Sequence, residues 1–366
     1  MNKKIVLGFA AVLILALVGV GIFRQVNLKK TEKDVIRIGA ILPLTGNLSY
    51  LGEEEKNALS LFVDSVNKNS NITLDIIFED SRGTAKDGVA AYNKLKQLGI
   101  KNFFTSLTIV ARSIAPLVDK NNDIQFVNSI DPKITSDYRN TFQIYYNIAD
   151  EMKLAATFFK NNKVNKVAAL YIETPEDELA VQQYLRGYLE TNGIEFIGYD
   201  TYDFSDKSVK NQLLKLKSMN PDYIYTIDFG YMYPQMFKEA EELNIRKKIF
   251  GGLGMMTAPP MDSNLTNGIY FASASFAINP NSKSKYFMEK YYTKFNKSIT
   301  FNGVYTYDGI SVLFYLLKNG IEPNKIIGAK FEGFSGTIQI TNTKSSIVEI
   351  VIATFNKNGV AIQIEN

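Results

Sequence analysis

The groups able to do chemistry in this chain are carboxylates, hydroxyls, amides, phenols and lysines, because its 366 residues include no Cys, no His and no Trp. That composition excludes thiolate nucleophiles, Ser-His-Asp relays, and zinc, haem or iron-sulfur sites built from the usual ligands. No metal and no cofactor is expected, and an enzyme is the least favoured class. Asp131 and Asp228 each follow a short apolar run. Either can receive a cationic or hydroxyl-rich group, or serve as the turn acceptor that an Asp after a strand commonly is. Thr108 and Ser129 offer hydroxyls, Asn128 an amide, and Tyr231 and Tyr233 apolar faces with a polar tip, a set suited to a neutral or aromatic ligand. Packing is the competing role for the tyrosines, since 21 Tyr and 24 Phe recur throughout. Glu173, Glu176 and Asp177 form an acidic cluster of the kind a carboxylate-dependent hydrolase needs. Thr174-Pro175 within it reads instead as a helix cap and first helical residue, which makes the acids a favourable first turn.

The elements that position these residues alternate. Short apolar runs at Ile36–Leu42, Leu74–Glu79, Asn102–Thr105 and Ile124–Val127 predict buried strands, separated by runs of helical period at Glu53–Lys68, Ala85–Leu98 and Ile109–Val118. A second series has helices at 150–161, 175–191, 207–218 and 234–243, with strands at 166–171, 194–199, 223–227 and 248–250. Two more helices, Ser284–Phe295 and Thr306–Asn319, precede a β-rich end, 337–364. This is the α/β signature with parallel sheets. Ligands in such sheets bind outside the carboxyl ends of the strands. The long turn Pro43–Gly52, opening into a helix, offers backbone amides to a polar group, but lacks both the Gly-Lys-Ser/Thr ending and the G-x-G-x-x-G of nucleotide loops. A hydrophobic share of 46% is that of an ordinary globular chain. The net charge of +4, from 41 basic and 37 acidic residues, shows no basic stripe and gives nucleic-acid binding no support.

Residues 1–34 stand apart. Met1–Lys4 is basic, Ile5–Phe23 runs nineteen residues without a charge, and Arg24, Lys29 and Lys30 follow. A helix of that length rises about 28 Å, near the thickness of a bilayer core, whereas cleaved signals have apolar regions of about 7–15 residues. The expectation is an N-terminal helix anchoring the protein on the outer side of the cytoplasmic membrane, followed by a polar tether. Cleavage near Gly19 and Gly21, which would release it, is the alternative.

The run Ile36-Arg-Ile-Gly-Ala-Ile-Leu-Pro-Leu-Thr-Gly46, Gly52, and the helix ending at Val66-Asn67 resemble the opening of the leucine/isoleucine/valine-binding proteins, the type I periplasmic binding proteins of ABC importers. Glu79-Asp80, Ile124–Ser129 with Pro132, Asp222–Tyr225 with Gly230-Tyr231, and Tyr305–Gly309 follow in the family's order. The resemblance implies two Rossmann-like lobes joined by a three-crossing hinge, one from 35–146 with 278–332 and the other from 147–277 with 333–366. It also implies capture of a small molecule between them and delivery to an ABC permease. A sensory receptor acting through a separate partner is the alternative. The family's ligand positions fall on Leu51, on Thr108 or Ile109, among Asn128, Ser129, Ile130 and Asp131, and on Glu176 and Tyr231. The carboxylate that holds an amino acid's ammonium falls on Leu253, which puts branched-chain amino acid binding in doubt.

Overall fold

The computed structural model describes residues 34–364. The apolar segment Ile5–Phe23 and its expected membrane role lie outside the described residues. Among the described residues, no helix is long and apolar enough to cross a membrane.

The first half builds a five-stranded sheet from β1 (Asp34–Leu42), β2 (Ile72–Asp80), β3 (Asn102–Ser106), β4 (Ile124–Asn128) and β5 (Thr141–Gln143), in the order β2-β1-β3-β4-β5. Every pairing is parallel. The crossovers between the first four strands are the helices α1 (Ser49–Asn69), α2 (Ala85–Gln97) and α3 (Thr108–Lys120). Burial explains the strand composition: Ile38, Ala40, Ile41 and Leu42 are fully covered by helices on both faces.

The second half forms a seven-stranded sheet. Its helices α4 (Ile148–Asn161), α5 (Pro175–Leu179), α6 (Arg186–Thr191), α7 (Lys210–Ser218) and α8 (Tyr233–Glu242) alternate with β6 (Lys166–Ile172), β7 (Glu195–Tyr202), β8 (Tyr223–Ile227), β9 (Ile249–Gly251) and β10 (Tyr270–Ala274). A π-helical stretch, Ala180–Leu185, joins α5 to α6, so the helix expected over 175–191 is continuous but underwound in the middle. The chain then passes α9 (Ser282–Phe295) and α10 (Phe301–Asn319), and α10 lies against α1, with the Phe62 ring edge-on to Tyr307 at 5.2 Å and to Phe314 at 5.6 Å. The α10 helix starts one turn before the expected Thr306, because Thr300 Oγ1 accepts the Asn302 N–H and Glu54 accepts the Thr300 and Gly303 amides.

The β-rich end divides. β11 (Lys330–Glu332), β12 (Thr337–Ile340) and β13 (Ser346–Ile347) form a small antiparallel sheet of their own, and only β14 (Ile350–Phe355) and β15 (Ala361–Gln363) join the seven-stranded sheet, as an antiparallel edge. The third passage between the large sheets therefore falls between β13 and β14, not near Gly333. The intervening segment is held to the first sheet and to α10: Gln143 N–H donates to Lys344 O at 3.0 Å, and the buried Asp308 carboxylate of α10 accepts the Phe334 and Ser335 amides at 2.8 Å each.

Candidate functional site

The carboxyl ends of the two large sheets face one another across a cavity of about 260 Å³. From the first sheet it is lined by Leu48 and Leu51 on the first turn and α1, Ser106 to Ile109 after β3, and Asn128 and Ile130 after β4. From the second come Glu173 to Asp177 after β6, Phe204 after β7, Asp228 and Phe229 after β8, and Leu253 and Gly254 after β9. Tyr145 and Tyr146 on the first passage, with Phe301 at the start of α10, complete an aromatic wall with ring centroids 4.9 to 5.9 Å apart.

Each loop is fixed by polar contacts behind the cavity wall. Thr108 and Ser129 share a hydroxyl–hydroxyl bond of 3.0 Å, and Thr108 Oγ1 also accepts the Ile130 N–H, which fastens the loop after β4 to the start of α3. Asn128 donates through Nδ2 to Glu55 and Thr306, leaving its Oδ1 without a partner at the cavity wall. Leu107, just before α3, holds φ at 69°, a backbone state that non-glycine residues rarely adopt and that costs on the order of 1–3 kcal/mol. In the second lobe Gly254 is required by a close approach, since a Cβ there would lie 1.8 Å from the Asp228 carbonyl.

Of the residues singled out by sequence, Leu51, Thr108, Ile109, Asn128, Ile130, Asp228 and Leu253 line the cavity, as do the acids Glu173, Glu176 and Asp177. Ser129, Asp131 and Tyr231 stand behind it. Asp131 is consumed by an ion pair with Arg112 and by the Lys133 amide. Tyr231 stacks on Phe204 at 5.9 Å and so backs an aromatic that does face the cavity, and Tyr233 is core, with its hydroxyl donating to Thr226 O. Asp228 reaches the cavity with its acceptors filled by the Gly230 and Met232 amides and the Tyr202 hydroxyl, so the turn-acceptor role describes it. The amides of the first turn are occupied as well: Asp80 accepts both Leu44 N–H and Thr45 N–H.

Sequence reasoning missed Glu151. It extends from the first turn of α4 to the cavity wall, and its Oε1 accepts the Tyr225 hydroxyl at 2.5 Å and the Leu253 N–H at 2.8 Å. A carboxylate thus stands beside Leu253, supplied by another element. Its signal was present: Glu151 falls on the same helical stripe as Ala155, Phe158 and Phe159, where an acid is out of place. Glu55 sits the same way on the stripe of Ala58, Leu59 and Phe62. Burial pushes Glu55 and Glu151 up to about 7, Asp177 to about 8 and Asp228 to about 6, against the hydrogen bonds each accepts.

Known proteins share this fold. The sequence profile of the periplasmic binding protein family matches residues 35–345. Leu/Ile/Val-binding protein homolog 3 of Brucella melitensis is 26% identical over 262 residues, covering 68% of this chain and 70% of that protein. A solute-binding protein of an ABC transporter from Rhodopseudomonas palustris, solved with 3,4-dihydroxybenzoic acid, superposes with a TM-score of 0.81 at 20% identity, over 91% of this chain and 96% of that one. A leucine-binding protein from Thermotoga maritima gives 0.75 at 19% identity, over 90% and 98%. With the profile spanning the first sheet, all of the second but its two-stranded antiparallel edge, and every loop that lines the cavity, the chain belongs to the periplasmic binding protein family.

Proposed function

We propose that this protein is the extracytoplasmic solute-binding component of an ABC importer, which captures a small molecule between two hinged lobes, does not transform it, and passes it to a permease. The observation that carries the reading is the cavity itself. It lies where two parallel sheets present their carboxyl ends, and both contribute to its walls, so a ligand there gains contacts from both lobes only when they close. The relatives' ligands differ from one another, and their pocket chemistry does not transfer. Leucine, isoleucine and valine bind weakly here, because their carboxylate would enter a cavity lined by five acids and by no Lys or Arg.

The segment Ile5–Phe23 is the uncleaved anchor in this reading, supported by its length and its basic flanks. Native mass spectrometry of the protein gently extracted from the membrane fraction tests both parts. The expected spectrum shows the full chain mass plus a retained small molecule. A mature chain starting near Ile22 removes the anchor and leaves capture intact. Absence of any bound small molecule, together with no binding from a broad solute panel, removes capture.

A further inference from the structure

Five acids, Glu151, Glu173, Glu176, Asp177 and Asp228, line the cavity on the side of the second sheet, and no Lys or Arg lines it anywhere among the described residues. Two of these acids are unusual. Glu151 and Asp177 are each 1% exposed, yet their accepted hydrogen bonds all fall on one oxygen, Oε1 of Glu151 and Oδ2 of Asp177. No described donor reaches Glu151 Oε2 or Asp177 Oδ1. The nearest guanidinium acting on the group is Arg112, which bears on Glu176 but is held outside the lining by Asp131 and Asp137. A buried carboxylate with no cation beside it is costly when ionised, and is relieved either by a proton or by a counter-charge. The opposite wall supplies independent support: Tyr145, Tyr146 and Phe301 present the aromatic surfaces that attract a desolvated cation. No described group of three or more acids is placed to chelate a metal, so the partner chemistry is that of an organic cation.

We propose that the cleft selects a ligand bearing an organic ammonium group, set between the Glu151 and Asp177 carboxylates and the aromatic wall. The assignment rests on the reading of the cleft as the solute site. The groups facing Glu151 are Tyr225, Tyr146, Tyr233 and Asp177, and those facing Asp177 are Thr174, Glu176, Asp228, Glu151, Tyr146 and Tyr171, all of them acids or hydroxyls. Burial raises Glu151 to about 7 and Asp177 to about 8, so in the empty site at neutral pH Glu151 is about half protonated and Asp177 mostly protonated. An entering ammonium then forms its ion pairs as those carboxylic acids lose their protons to solvent, and binding releases protons.

The test is calorimetry with phenethylamine, 2-phenylethanol and 3-phenylpropionate, which share a ring and a two-carbon chain and differ in charge. The amine is expected to bind about tenfold or more tightly than either of the others, equivalent to at least about 1.4 kcal/mol. Its heat at pH 7 should differ between phosphate and Tris buffers in the sense of proton release. Glu151→Gln and Asp177→Asn should each weaken it about tenfold, with melting temperatures measured alongside to exclude unfolding. Equal or tighter binding of the alcohol or the acid overturns the ammonium assignment and leaves capture standing. If none of the three binds, the retained molecule seen by native mass spectrometry decides: a basic nitrogen supports the assignment, and a neutral or acidic molecule overturns it. No retained molecule and no probe binding overturns both readings.

Discussion

At the scale of single residues, the cavity keeps carboxylates where an ordinary core would place hydrocarbons. Glu151 illustrates the consequence for stability. Its folded-state value of about 7, against 4.5 for the free group, means that the folded protein binds a proton more readily than the unfolded chain between those pH values. Stability from this group is therefore greatest at acid pH, falls as pH rises through that window, and is fully lost above about pH 7. Glu151→Gln keeps an acceptor for Tyr225 and Leu253 but cannot ionise, so it should match the parent near pH 4 and exceed it at pH 8 by about 1–3 kcal/mol. Thermal unfolding of the empty protein at the two pH values reads the difference directly, at about 2–4 °C per kcal/mol. A variant no more stable than the parent at pH 8 would show that water or a rotated side chain already relieves the charge. The same residue marks the limit of what the sequence disclosed about the site. Thr108, Asn128 and Asp228 follow strand ends and were legible from position alone, whereas Glu151 is on a helix and meets the cavity only because α4 lies across the first passage. Tyr231 was overread for the opposite reason: it follows a strand, but Phe204 from another loop stands in front of it.

At the scale of elements, periodicity located most strands and helices of both large sheets, because burial on both faces leaves continuous apolar runs. Two strands escaped. β5 has only three residues, and β10 reads Tyr-Phe-Ala-Ser-Ala, whose small residues carry little strand signal although Phe271 to Ala274 are wholly buried. Sheet membership at the end of the chain was not legible either, since the pairing of β12 with β11 depends on Asp308, in α10, holding the turn between them. The entry to α1 shows how tightly such junctions are built. A Cβ on Gly52 would lie 2.2 Å from the Pro43 carbonyl oxygen, so the first turn closes onto the helix only because that residue is glycine. Gly52→Ala should cost about 1–3 kcal/mol. Urea titration would measure it, and an unchanged midpoint would mean that the Pro43 turn shifts freely.

At the scale of the whole molecule, three passages join the lobes, and the second and third are tied to each other by the Ser275 N–H to Glu349 O bond of 2.9 Å. In the hinge we propose, a few residues on these passages absorb the rotation while each sheet moves as a unit. Across the cleft the Tyr50 hydroxyl, from a residue that does not line the cavity, donates at 2.6 Å to the carbonyl of Phe229, which does. Small-angle scattering should show a smaller radius with ligand than without. Tyr50→Phe should enlarge the ligand-free radius, because a bond of about 0.5–1.5 kcal/mol shifts the closed-to-open ratio about two- to tenfold. An identical radius in all samples would argue for a rigid receptor. That single bond also bears on fuel economy. A permease that recognises only the shut form cannot see inside it, and a clasp that ignores the cargo shuts empty shells as well as full ones. In the importer we propose, each empty shell accepted would be ATP hydrolysed with nothing carried, and the strength of one phenol on one carbonyl would set a floor on the waste of the transport cycle.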